Sequence, residues 1–97
     1  MINKVAKKYA KGRKIEYKAM RELMEGGYYP IRSAGSKGIF DVIGISAVDF
    51  VLVQVKSNRK ANPAEIRVIK KFPVPPNCKK SLWIWRDRKG FVKEYYD

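Results

Sequence analysis

The chain has 97 residues, enough for one compact domain and too few for a second. Its 22 Lys and Arg against 9 Asp and Glu give a formal charge of +13, well beyond what solubility requires, which favours a polyanionic partner and nucleic acid first. A single cysteine, Cys78, and no histidine exclude an internal disulfide, a sulfur-bound zinc cluster and His-based catalysis, while no apolar run approaches the roughly 18 residues of a membrane helix.

A 45% apolar content is ordinary for a globular protein, so the charge does not signal disorder. With no apolar signal core at the N terminus, the expected location is intracellular, cytoplasmic or nucleoid-associated, with a viral protein acting in its host as a variant of the same reading. No internal repeat or interdomain linker interrupts the chain, and residues 1–97 read as a single domain with a basic N-terminal segment.

That segment, MINKVAKKYAKGRK, is expected to fray at its first residues. From Arg13 to Met24 the spacing of Ile15, Ala19, Met20, Leu23 and Met24 predicts an amphipathic helix, ended by Gly26 and Gly27. Tyr28 to Ser33 reads as a short strand, kept off a central position by Pro30. Arg32 to Gly38, RSAGSKG, is a polar loop whose Arg32, Ser36 and Lys37 offer phosphate contacts, although its glycine spacing is not that of a Walker loop.

The stretch from Gly38 to Ser57 organises the rest. Two strand-like runs are expected to form a hairpin closed near Ser46 to Asp49. In the second run Phe50, Leu52, Gln54 and Lys56 share one face, and Val51, Val53 and Val55 the other. Hairpin pairing brings Asp41, at the start of the first run, towards Lys56 near the end of the second.

Downstream, Asn62 is placed to cap a helix, Pro63 to open it and Glu65 to complete a capping box, so Glu65 has a sufficient structural role. The helix should reach Lys71, burying Ile66 and Ile69, and stop at Pro73 to Asn77. SLWIWRD and FVKEYYD, separated near Arg88 to Gly90, predict a terminal hairpin in which Trp83 and Trp85 share a face, more economically buried than stacked on bases. The order helix, three strands, helix, two strands predicts an α/β domain with a small central sheet flanked by helices.

Cleaving a phosphodiester requires a bound divalent ion, an activated water and stabilised phosphoryl charge. Asp41 is the natural ligand for hard Mg²⁺, Gln54 offers an amide oxygen and Val55 its backbone carbonyl, while Glu16 adds a carboxylate from the helix. Lys56 can serve as a base when neutral or hold a phosphate when charged. Lys11, Arg13, Ser57, Arg59 and Lys60, with Arg32, Ser36 and Lys37, are the candidate nucleic-acid contacts.

Phe40-Asp41 followed by Gln54-Val55-Lys56 resembles the two-part core of PD-(D/E)-x-K nucleases, with Phe40 in the proline position and Gln54 in the second acidic position. Together with GRKIE at 12–16, RSAGSKGIFDVIG at 32–44 and QVKS at 54–57, the chain is similar to archaeal Holliday-junction resolvases and their viral relatives over about its first two thirds. That resemblance implies a restriction-endonuclease-like fold, a homodimer, and Mg²⁺-dependent cutting of double-stranded or branched DNA, with Mn²⁺ a substitute. It implies family roles for Glu16, Asp41 and Lys56, and a position near the substrate phosphate for Ser36. Gln54 departs from the pattern by one negative charge. Alternative functions are a sequence-specific or nicking endonuclease, a nonenzymatic nucleic-acid-binding module that keeps the fold, and a basic dimerisation or ribosome-associated protein.

Overall fold

The structure, a computed structural model, describes residues 4–33 and 38–96, with the side chains of the first helix described from Gly12 onward. The elements are α1 (Lys4–Glu25), β1 (Tyr29–Arg32), β2 (Val42–Ile45), β3 (Phe50–Ser57), α2 (Pro63–Lys71), β4 (Cys78–Arg86) and β5 (Gly90–Tyr96). Strands lie in chain order across one sheet, antiparallel except for the β3–β4 pair, which is parallel and joined through α2. This mixed sheet carrying two helices is the expected α/β class and is compatible with a restriction-endonuclease-like fold.

Two boundaries differ from expectation, and one is the start of β4, at Cys78 where Ser81 was expected. The first helix reaches back to Lys4, not just to Arg13, so the basic opening is helical from there, while residues 1–3, part of the stretch where fraying was expected, lie outside the described residues. Alanine and lysine are strong helix formers, and their summed propensity carries the helix through Gly12. Its C terminus ends as expected. Gly27 has φ +90, its N–H donates to Met24 O at 3.0 Å, and Tyr28 N–H reaches back to Leu23 O at 2.9 Å, the two bonds of a Schellman turn.

The two faces of the sheet bury different residues. On the α1 side, Ala19 and Leu23 pack with Val42, Val51, Val53 and Trp83. On the other, Ile69 of α2 packs with Ala61, Leu82 and Ile84, joined by the half-buried Ile39, Phe40 and Ile66. The period-two alternation of β3 therefore separates valines under α1 from Gln54 and Lys56, whose β4 neighbours Leu82 and Ile84 lie in the α2 core.

The crossover helix is capped at both ends. Asn62 Oδ1 accepts from Glu65 N–H at 2.8 Å and Asn62 Nδ2 donates to Glu65 Oε1 at 3.0 Å. That second bond comes from the side-chain amide, where a strict capping box would use the Asn62 backbone N–H. At the other end the buried Lys80 donates to Lys70 O at 2.6 Å and Phe72 O at 3.2 Å, placing a cation against the last carbonyls of α2. Among the described residues no helix is long and apolar enough to cross a membrane.

Gly44 shows how tightly α1 sits on the sheet. A Cβ there would lie 3.1 Å from Leu23 Cδ2 and 3.2 Å from Tyr28 Cβ, so a methyl group fits only if Leu23 and Tyr28 give way by a few tenths of an ångström. G44A is expected to lower stability by about 1–3 kcal/mol in urea unfolding. In an L23A background, itself costing about 2–5 kcal/mol, the added cost of G44A should shrink, and strict additivity would contradict this packing.

Candidate active site

Where β2 begins, its backbone hands over to a side chain. Asp41 N–H donates to Val53 O at 2.8 Å, while Val55 N–H, one ladder step further, donates to Asp41 Oδ2 at 2.8 Å. The register Val42↔Val53 continues one step to set Asp41 opposite Gln54. Asp41 is thereby fixed at the sheet end, between the α1 and α2 faces. On its other flank Ser33 N–H donates to Asp41 O at 2.9 Å, tying in the end of β1.

Burial is the main reason that the Asp41 carboxyl titrates above its ordinary range. The Val55 N–H opposes that shift, the nearby Glu16 carboxylate adds to it, and Lys56 opposes it least. Glu16 on α1 is therefore close enough to influence Asp41. Its Oε1 accepts from Arg32 Nη1 at 3.1 Å, a contact shared by α1 and the last residue of β1. The Arg32 guanidinium also lies 5.1 Å from the Tyr17 ring centre.

Gln54 supplies the observation that bears most on a metal. Its Oε1 is buried and has no hydrogen-bond partner among the described residues. A buried amide oxygen left without a donor carries a desolvation penalty of about 1–3 kcal/mol, which a cation can offset. Asp41 and Gln54 are both hard oxygen donors, and the Val55 carbonyl is a third of the same class. Among the described residues no three His, Cys, Asp or Glu side chains cluster closely enough to hold a metal, so any divalent ion here depends on neutral oxygens as well as Asp41. The donor set fits Mg²⁺ or Mn²⁺, with less negative charge than a site of several carboxylates.

Lys56 shares the sheet end with Asp41 but points to the α2 side. Its Nζ lies 2.7 Å from Glu65 Oε2, which is buried and makes no aligned hydrogen bond, so the contact is an ion pair. Glu65 thus has a second role beyond capping. The pairing was not readable from a nine-residue separation, because it exists only once α2 folds back across β3. A capping glutamate next to a crossover lysine is the only sequence signal available.

The remaining candidates are dispersed. Arg13, Arg59 and Lys60 are exposed. Ser57 Oγ is buried and has no partner among the described residues. Ser36, Lys37 and the Lys11 side chain lie outside the described residues.

Residues 7–72 match the family model described as archaeal Holliday junction resolvase. The match runs through α1, Asp41, Gln54 and Lys56 to the end of α2, and stops before β4. No curated protein matches the chain.

The raised Asp41 titration has a measurable sign. Ionising the carboxyl costs the fold stability as pH rises from the ordinary carboxylate range through the higher folded value, and the full cost is present above it. Metal-free D41N should therefore be more stable than the wild type near neutral pH, with the advantage vanishing on acidification below the ordinary carboxylate range. Urea midpoints across pH, with chelator and enough salt to screen the general positive charge, check this. A pH-independent difference would contradict it.

Proposed function

The chain belongs to the archaeal Holliday junction resolvase family, a family of nucleases acting on branched DNA, and from that premise we propose a specific activity for it. It is a divalent-metal-dependent endonuclease that hydrolyses phosphodiesters in four-way DNA junctions. What supports this reading is that Asp41, Lys56 and Gln54, whose Oε1 has no hydrogen-bond partner among the described residues, lie at the same end of the sheet.

In this reading Asp41, Gln54 and the Val55 carbonyl hold Mg²⁺, with Mn²⁺ a substitute. A divalent ion bound there supplies Lewis acidity towards the scissile phosphate. Asp41 contributes the negative charge and is oriented by the Val55 N–H, so its second oxygen is presented in a defined direction. Gln54 adds an oxygen ligand without charge. Lys56, ion-paired with Glu65, is placed to stabilise charge on the phosphate and to orient water, a task suited to its charged form. Glu16, braced by Arg32, lends negative field from α1. Arg13, Arg32, Ser36, Lys37, Arg59 and Lys60 serve as backbone contacts, which position DNA without reading its sequence.

A four-way junction offers two equivalent strands to cut, and each chain carries one such site. Symmetric cleavage follows from a homodimer with two sites related by a twofold axis. The Gln54 substitution favours one further reading, a binding module on the same fold, since it weakens metal attraction.

Labelled duplex, flap and four-way DNA incubated with Mg²⁺ or Mn²⁺ separate the two. Metal-dependent cuts confined to branched DNA are expected, and D41N and K56A should each lower the rate by about a hundredfold or more while retaining junction binding. Q54E should reduce the metal concentration for half-maximal rate by about tenfold, through one added ligand charge. Tight binding without wild-type cleavage across metals and pH would support the binding module instead.

A further inference from the structure

The matched region ends before β4, yet the turn joining β4 to β5 lies at the same end of the sheet as the candidate site. The parallel β3–β4 register runs Lys56↔Ile84 and Ser57↔Trp85, so the chain enters Arg86 just as β3 leaves Ser57. There it presents Arg86, Asp87, Arg88 and Lys89, three cations against one carboxylate. Asp87, Arg88 and Lys89 are exposed.

This turn is held in place from the site side. Asn58, two residues after Lys56 and itself at φ +54, donates through Nδ2 to Asp87 Oδ2 at 3.1 Å and accepts through Oδ1 from Asp87 N–H at 3.2 Å. Trp85 Nε1 donates to Asp87 Oδ1 at 3.0 Å, and Asn58 N–H donates to Trp85 O at 2.8 Å. Both Asp87 oxygens are occupied inside this bracket, leaving the exposed Arg88 and Lys89 as the turn's outward charge, next to the half-buried Arg86. Trp85 is itself braced by Phe91, ring centres 5.1 Å apart, and by Lys18 Nζ, 4.8 Å from its ring centre.

We propose that the 86–90 turn is a DNA-backbone-binding element, which carries a strand onward from the phosphate held near Lys56. Neighbouring strands are about 5 Å apart, and phosphates follow at about 3.4 Å of axial rise along one DNA strand, so the turn meets phosphates only a few nucleotides from Lys56. Arg59 and Lys60, exposed beside Asn58, bridge the interval. Cations on a pre-ordered turn lose less conformational freedom on binding than free side chains do, which suits them to fix the register of a DNA arm. The partner is the sugar-phosphate backbone, not base edges.

The placement next to a scissile phosphate rests on the nuclease reading; binding by the turn is tested separately from it. Binding of the full chain to a fluorescent four-way junction is measured in chelator over a range of NaCl concentrations. The test variant is R88N/K89Q, with asparagine chosen because Arg88 sits at φ +69. The control is K71Q/K79Q, removing equal charge from exposed lysines at the far end of the sheet.

The log–log salt slope of R88N/K89Q should be shallower than wild type by about two, at about 0.9 per phosphate contact, with the control slope unchanged. An unchanged slope for R88N/K89Q, an equal loss in the control, or absence of DNA binding by the wild type would each overturn the proposal. Loss of slope in R88N/K89Q alongside a wild type that never cleaves would uphold the binding element and remove the nuclease reading.

Discussion

A hydrogen bond between a side chain and a strand sets the geometry on which the candidate site depends. Antiparallel pairing would normally continue from Val42↔Val53 through another backbone carbonyl, but at the next step Val55 N–H is taken by the Asp41 carboxylate. One group thereby closes the β2–β3 ladder and is fixed at its rim, opposite Gln54. A carboxylate in that position is partly desolvated, which is why it titrates high and why it has a reason to accept a cation. Gln54 Oε1, also buried, has no donor among the described residues. Two unfavourable local arrangements on adjacent strands become favourable together if a metal lies between them.

The crossover through α2 completes the surroundings. Asn62 starts the helix, Lys80 closes its last carbonyls, and Glu65 reaches from its first turn to Lys56. These contacts connect the parallel strand pair, the helix cap and the proposed phosphate-binding lysine, so the position of Lys56 depends on how α2 docks. The α1 face contributes differently: Leu23 and Ala19 anchor the helix over the valines of β2 and β3, and Glu16 meets Arg32 at the sheet margin.

Much of the element order is legible because punctuation residues act locally. Gly26-Gly27, Asn62-Pro63-Ala64-Glu65, Pro73 to Asn77 and Arg88 to Gly90 each impose or permit a backbone conformation that needs no distant partner. The alternation in β3 likewise states which residues share a face. Its meaning for chemistry, and the family relationship, came through Asp41 followed by Gln54 and Lys56. Less legible were features settled by competition or distance. The start of α1 turned on summed helix propensity against charge repulsion, and Lys80 becomes buried because α2 presents its carbonyls there. Lys56 with Glu65, and Asn58 with Asp87, meet only after β3, α2 and β4 are arranged. Such polar pairs leave no periodic trace in a single sequence.

In the proposed site Asp41 and Gln54 share a divalent cation at the end of the β2–β3 ladder. Anomalous diffraction from crystals of the protein in Mn²⁺ tests it most directly. A manganese peak is expected within bonding distance of an Asp41 carboxylate oxygen and Gln54 Oε1. A peak elsewhere in the molecule, or none at a manganese concentration that supports DNA cleavage, would contradict it.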